Sequence, residues 1–470
     1  MIDILLVNPP SPDGSIIIRD FNRSGRTSKE RIIWPQTSLA YLAAMVPSNL
    51  TIEIIDCIAR KINWVKFLKM LKEKNPRYLI SHVITSTATN DLRVFKEIKK
   101  ISPDVITITM GPHVTALTKE TLEKNPDLDF ILLYEPELTF KQLIEFIEAG
   151  RKDFENIKGL AFRKDGEIKI NERREYLDDL DQLPIPRHDL LPLKKYQFPF
   201  MASSFVFVVP SRGCPYLCTF CRQPIMWERK IRLRSPESII KELKILKKLG
   251  VNEFIFQSDT FTVDRDFAIE LCKKIIDEDL KFRWSTNSRV DTMDEEMLKW
   301  MKKAGCWMIA YGIESGSQKI LDKSKKQITI NQIKEAINLT HDVGIKVYGY
   351  FIIGLIGETK ETIKQTIDLA KKLPITFAIF HTAAPYPDTE FYKEVKKNGW
   401  LVSEKWEDVD QGTNTPISYP QLSSEEINKG IKRAYREFYL RPKAILRILT
   451  SFKNVRDIKG IIRAAINQLL

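Results

Sequence analysis

RGCPYLCTFC, residues 212–221, sets Cys214, Cys218 and Cys221 within eight residues of a chain that holds six cysteines in all. A disulfide framework is excluded first. Two bridges need four cysteines, and Cys57, Cys272 and Cys306 lie far off in sequence. Structural zinc takes four ligands, commonly as paired C-x2-C, whereas this spacing is C-x3-C-x2-C with no fourth Cys or His close by. Three thiolates without a fourth suit an iron–sulfur cluster that keeps one iron open for another ligand.

The stretch just before the trio, FVFVVPS (205–211), reads as a buried strand, and a βα rhythm runs on from it. Further strands are expected at EFIFQSD, KFRWSTN, WMIAYGI, VYGYFIIG and TFAIFHTA, with amphipathic helices such as PESIIKELKILKKLG and KETIKQTIDLAKKL between them. Six strands with crossovers predict a partial (β/α)6 barrel of the TIM type, working at the C-terminal ends of its strands. Residues 1–180 show a second alternation of apolar strands and helices, the pattern of an open, Rossmann-like α/β domain and its linker. We therefore expect an α/β domain over 1–180, a barrel over 181–410 and a basic helical region over 411–470.

A chain of 470 residues with 43% hydrophobic residues is long enough for two or three cores. The opening MIDILLVNPP lacks the basic and then apolar pattern of a signal peptide, and the 13-residue apolar run FPFMASSFVFVVP is too short to span a bilayer. The formal net charge is +13, and residues 429–470 hold eleven Lys and Arg against Glu437 and Asp457. Within that tail Ile445, Leu446, Leu449, Phe452, Val455, Ile458 and Ile462 recur at helical steps. A basic amphipathic helix can lie on an anionic membrane, or it can pack on the barrel with its charged face in water; both readings stand. Nucleic acid is not expected as a partner, because the basic excess is confined to this one region. The expected localisation is cytoplasmic, with peripheral membrane contact through the tail.

The cysteine trio after the first barrel strand resembles the radical S-adenosylmethionine (SAM) superfamily. That resemblance implies a [4Fe–4S] cluster on Cys214, Cys218 and Cys221, SAM chelated at the open iron, and reductive cleavage of SAM to a 5′-deoxyadenosyl radical. It also implies an electron donor such as ferredoxin or flavodoxin. Carried over motif by motif, it puts Phe220 beside adenine, Asp259 of FQSDTFT at the SAM amino group, and Arg289 of WSTNSRVD at the SAM carboxylate. Glu314 of YGIESGSQ becomes a SAM or ribose contact, and Gly354 of FIIGLIGET an adenine-side backbone position.

The N-terminal part resembles the cobalamin-binding domain that precedes the barrel in one large radical SAM subgroup, on LLVNPP, TSLAYLAAMV, MGPH and the linker LDDLDQLPIPRHDLLPL. Three segments depart from that pattern. Where the subgroup's lower-ligand motif would place His and Gly, this chain has Ile58 and Lys61; its Gly-Gly-Pro-His segment begins with Met110; and its Gly-Glu-Gly-Glu turn, expected to approach the cofactor, reads Tyr134-Glu135-Pro136-Glu137. Cobalamin binding is left open by these departures.

The narrowest resemblance is to hopanoid cyclitol-ether synthase and calditol synthase, on IIWPQTSLAYLAAMVP, AAPYPDTEFY and REFYLRPKAIL. It implies hydrogen abstraction from a membrane lipid and contraction of its polyol head group to a cyclopentane ring. A cobalamin-dependent C-methyltransferase, a lipid-chain ring synthase and a non-enzymatic cobalamin or redox sensor are the alternatives. Candidate catalytic residues are His381 and Tyr386, in the loop after the sixth strand, which either touch substrate or only shape that loop, and Cys306, which reads as a buried thiol at a strand start and would return hydrogen to product only if it faced the cavity.

Overall fold

The computed structural model describes residues 2–19, 25–198, 201, 204–413 and 415–451. Two sheets organise them. The first takes β1 (Ile4–Asn8), β2 (Ile52–Asp56), β3 (Tyr78–His82), β4 (Ile106–Met110), β5 (Phe130–Leu132), β6 (Leu160–Lys164) and β7 (Glu167–Ile170) in the order β2-β1-β3-β4-β5-β6-β7. The first five are parallel, and β6 and β7 add an antiparallel hairpin at one edge. Residues of β1 and β3 are buried along their whole length, as strands covered by helices on both faces must be. Asp165 and Gly166 turn the hairpin with φ of 50° and 81°, the left-handed pair that a two-residue hairpin loop demands.

The second sheet runs β8 (Phe205–Val208), β9 (Glu253–Phe256), β10 (Arg283–Ser288), β11 (Cys306–Glu314), β12 (Lys346–Ile353) and β13 (Phe377–Thr382). Its six strands pair in chain order and all in parallel, giving the partial barrel. Side-chain caps start the helices between them. Ser235, Asp264, Asp294, Thr329 and Thr359 each accept a backbone N–H in the first turn that follows.

Residues 25–34 of the N-terminal segment are tied to the barrel side. Trp34 lies 4.4 Å from the Phe207 ring of β8, Ile33 N–H donates to Gln197 O, and Thr27 N–H donates to the Asp410 carboxylate at 2.9 and 3.1 Å. On the outside, helix Ser424–Tyr439 covers the last strand. The Tyr435 hydroxyl accepts from Phe380 N–H, and the Tyr439 hydroxyl both accepts from Ala378 N–H and donates to Ala378 O. Backbone groups of the edge strand β13 are thereby satisfied, which blunts it against pairing with another chain. This helix holds the start of the basic tail and packs on the barrel. Ile445 and Leu446 sit exposed on the next one, Pro442–Ser451, and the amphipathic stretch from Phe452 onward lies outside the described residues. Among the described residues, no helix is long and apolar enough to cross a membrane.

Candidate functional site

The loop after β8 carries the cysteine trio and is held from three sides. Arg212 meets Glu137 at 2.6 Å and Glu135 at 3.4 Å, and Arg232 meets Glu135 at 2.6 Å, all four side chains being nearly or fully buried. Gly213 follows with φ 94°, and a Cβ there would stand 2.0 Å from Lys230 O, so only glycine lets the chain pass. Thr219 N–H then donates to Ser324 O, and Phe391 N–H donates to Thr219 O.

The two glutamates of residues 134–137, the turn that departs from the Gly-Glu-Gly-Glu pattern, dock the cluster loop. Tyr134 keeps φ at 57°, so the glycine conformation survives without the glycine.

Cys214, Cys218 and Cys221 are each partly exposed and line one cavity of about 300 Å³. Among the described residues no three Cys, His, Asp or Glu side chains converge closely enough for a single metal ion. A cluster that gives each thiolate its own iron needs no such convergence, whereas a zinc ion does. Burial and then the Asp259 charge push the Cys214 thiol up to about 11, and burial with the neighbouring sulfurs raises Cys221 too. The bare Cys214 and Cys221 thiols thus favour the protonated form, and a cluster's positive irons would supply the charge that holds them as thiolates.

Four of the five expected cofactor contacts line that cavity: Phe220, Asp259, Arg289 and Glu314. Arg289 donates to both oxygens of Asp291 at 2.9 Å and to Lys326 O, and its guanidinium lies 3.4 Å from the Tyr216 ring centroid. Glu314 pairs with Lys326 at 2.8 Å. Burial opposes the Lys326 charge, yet the Glu314 carboxylate and the Cys218 sulfur hold its ammonium above the ordinary lysine value. Sequence reasoning missed Lys326 and Tyr216. Tyr216 had a signal, an aromatic inside the cysteine loop; Lys326 is one of three lysines in DKSKKQ.

Gly354 stands outside the cavity lining. Its N–H goes to Glu358, its carbonyl accepts from Tyr419, and Ile427 closes over it. Two residues earlier Ile352 lines the cavity instead, so the strand reaches the site by a side chain.

The catalytic candidates separate. His381 lines the cavity, with Nδ1 3.3 Å from Gln411 O and its ring near Tyr350. Tyr386 is buried outside the lining, beneath the Arg222 guanidinium, and packs with Ala384 and Val409. Cys306 lies at the N-terminal end of β11, away from the strand ends that form the site, and bonds Met308 O. It is a buried core thiol in this position, not a hydrogen donor to the cavity.

On the N-terminal domain the fit to a corrinoid rests on orphaned polar atoms at the C-terminal ends of β3 and β4. Both ring nitrogens of His82, Thr85 Oγ1 and His113 Nδ1 are buried without a hydrogen-bond partner. Burial, with Arg19 nearby, pushes His82 down to about 3, and burial pushes His113 down to about 4, so both rings are neutral. Such atoms suit the amide and nucleotide groups of a bound corrinoid. Ile58, at the lower-ligand position, offers no nitrogen to cobalt. Gly111 has a separate reason to be glycine, since a Cβ there would meet Val83 O at 2.5 Å.

Residues 208–370 match the radical SAM superfamily and residues 29–144 the B12 binding domain. An uncharacterized methyltransferase of Pyrococcus horikoshii is 35% identical over 98% of both chains. An anaerobic magnesium-protoporphyrin IX monomethyl ester cyclase of Cereibacter sphaeroides is 29% identical over 87% of this chain and 67% of its own. Among solved structures, the radical SAM methyltransferase TsrM of Kitasatospora setae superposes with a TM-score of 0.70 at 15% identity, covering 94% of this chain and 89% of TsrM. It has also been solved with cobalamin and a [4Fe–4S] cluster bound. The domain matches and the full-length relative place the chain in the radical SAM superfamily, in the group that joins a B12 binding domain to the radical SAM barrel.

Proposed function

We propose that the protein is a cobalamin-dependent radical SAM methyltransferase acting on an unactivated carbon. A [4Fe–4S] cluster and SAM are the barrel's cofactors, and the B12 binding domain adds cobalamin. Bound together, they supply a carbon-centred radical and a transferable methyl group. One observation carries the reading: residues from both domains wall a single cavity. Ile18, Arg26 and Trp34 come from the N-terminal segment, and Cys214, Asp259 and Glu314 from the barrel.

The chain's own residues do the positioning. Cys214, Cys218 and Cys221 would hold the cluster; Asp259, Arg289 and Glu314 would orient SAM; His82, Thr85 and His113 would hold the corrinoid's polar periphery. Apolar side chains around the cysteines limit water where a radical would form.

A ring-forming reaction is the second reading, favoured by the cyclase relative that spans 87% of this chain. Contraction of a lipid polyol head group is one such reaction, and peripheral membrane contact through the basic tail would suit it. To separate the readings, the reconstituted protein is incubated anaerobically with a reductant, SAM bearing a deuterated methyl, and an extract of its source cells. A methyltransferase yields a small molecule heavier by the labelled methyl. A dehydrogenative ring-former yields an unlabelled product lighter by two hydrogens, and a ring-contracting enzyme an unlabelled product from a polyol lipid.

A further inference from the structure

A series of phenols starts in the cavity and ends on the outside of the barrel. Tyr348 and Tyr350, both on β12, line the same cavity as the cysteines, with ring centroids 4.9 Å apart. Tyr350 is half-buried, and its ring lies near that of His381, whose Nδ1 meets the Gln411 carbonyl. Tyr348 is buried more deeply, at 3% exposure.

Behind Tyr348 the series goes on. Burial first raises the phenols of Tyr348, Tyr435 and Tyr439, and the Glu30 carboxylate adds to the rise in each, so this one acid stands among all three. Glu30 is itself paired with Arg26 at 2.8 Å, which leaves the ion pair without net charge. Tyr435 and Tyr439 also raise Tyr348 directly, and their own rings stack 6.2 Å apart on the outer helix Ser424–Tyr439. Tyr439, half-buried, is the outer end of the series. At neutral pH these three phenols keep their protons and can give up a hydrogen atom.

The O–H bond of a phenol is weaker than the C–H bond of a methyl group, because the phenoxyl left behind is delocalised over its ring. A carbon-centred radical in this cavity therefore takes hydrogen from a phenol within reach when no substrate stands between them. Two other oxidisable rings line the cavity. Tyr216 has the Arg289 guanidinium 3.4 Å from its ring centroid, and that cation opposes the withdrawal of an electron. Trp34 packs on Phe207, a ring with no hydrogen atom to pass on. The β12 pair leads on to further phenols.

We propose that Tyr350, Tyr348, Tyr435 and Tyr439 form a hydrogen-atom relay that carries an unspent radical from the cavity to the outer surface. In the first step the O–H bond of Tyr350 breaks and a C–H bond forms at C5′ of the SAM-derived radical, leaving 5′-deoxyadenosine and a Tyr350 phenoxyl. Each later step moves one electron and one proton from the next phenol to the last phenoxyl. One electron from the reductant that feeds the cluster and one proton from water restore Tyr439. The inference rests on the radical chemistry of the barrel and not on the methyltransferase reading, and it adds protection against cleavage of SAM without substrate.

The test uses the anaerobically reconstituted full chain with SAM and dithionite but no substrate, in heavy water, where deuterium replaces the phenolic protons. Freeze-quench electron paramagnetic resonance should show a phenoxyl radical whose hyperfine pattern narrows in chain grown on ring-deuterated tyrosine. The 5′-deoxyadenosine, returned to ordinary water before mass spectrometry, should carry one deuterium on carbon. A folded Tyr350→Phe should lose both the signal and the deuterium. Tyr348→Phe should keep the deuterium but hold the phenoxyl at Tyr350, where it outlasts the native signal because its way out is cut; Tyr439→Phe should lengthen the signal likewise. Unlabelled 5′-deoxyadenosine, no phenoxyl in the native chain, or undiminished deuterium in Tyr350→Phe overturns the proposal alone. An unchanged signal lifetime in both Tyr348→Phe and Tyr439→Phe overturns the relay beyond Tyr350. No 5′-deoxyadenosine at all overturns the proposal together with the radical chemistry beneath it. The ring-deuterium readout uses the native sequence, so it decides even where a variant fails to fold.

Discussion

Replacing Glu137 by Gln tests how the two domains hold the cluster loop. Glu137 and Arg212 meet at 2.6 Å with side-chain exposures of 5% and 6%. At that distance the attraction is about 6 kcal/mol for an effective dielectric of about 20. Breaking a buried pair by removing one partner costs about 3–5 kcal/mol, because the remaining charge stays desolvated. Here Glu135 remains 3.4 Å from Arg212, and the Gln amide still accepts a hydrogen bond, so we expect about 2–3 kcal/mol. Local opening of the loop should then rise about 30- to 150-fold. Hydrogen exchange of peptides covering 205–235 reads this directly, with the helix Ile330–Asp342 as internal control. Iron retained per chain should fall in parallel, since Arg212 stands two residues before Cys214. Unchanged exchange over 205–235, with the control equally unchanged, would refute the idea that the YEPE turn anchors this loop.

Other outcomes follow from single residues. Gly213→Ala should abolish stable cluster incorporation, read as iron and sulfide per chain, because its Cβ would sit 2.0 Å from the Lys230 carbonyl. Each of Cys214→Ala, Cys218→Ala and Cys221→Ala should lose the iron–sulfur absorbance and all SAM cleavage while keeping native-like circular dichroism. Burial lifts the Glu358 carboxyl to about 7 against the N–H groups of Gly354 and Leu355. A carboxyl raised on folding contributes stability that is lost as pH climbs from its unfolded value of about 4.5 through about 7. Glu358→Gln should therefore raise Tm relative to the native chain at pH 8, with the gain shrinking towards pH 5; an equal gain at both would contradict the assignment.

The barrel was legible because its strands are short, β-branched and aromatic runs at even spacing, and a parallel sheet buried on both faces leaves such runs almost uninterrupted. The cluster ligands were legible because three thiols within eight residues, too few for two disulfides and lacking zinc's fourth ligand, suit little besides an iron–sulfur cluster. Legibility failed where a partner comes from far along the chain. Glu135 and Glu137 look like a broken cofactor turn until Arg212 and Arg232, some 75 to 97 residues away, are seen against them. Lys326 had no signal, since its meaning depends on Glu314 across a helix and a loop. Gly354 misled because a glycine at a strand end serves a tight turn as readily as a ligand, and here Glu358 and Tyr419 hold that turn. Cys306 was legible as a buried thiol at a strand start, and strand polarity keeps it at the end of β11 away from the cavity.

The central claim is that a SAM-derived radical takes hydrogen from a substrate in the shared cavity, and deuterium transfer tests it most directly. The reconstituted chain would be given unlabelled SAM, a reductant and an extract of source cells grown in heavy water, and the mass of the 5′-deoxyadenosine formed would be measured. We predict monodeuterated 5′-deoxyadenosine, absent with Cys218→Ala. 5′-Deoxyadenosine formed without deuterium, or none formed at all, would contradict the claim.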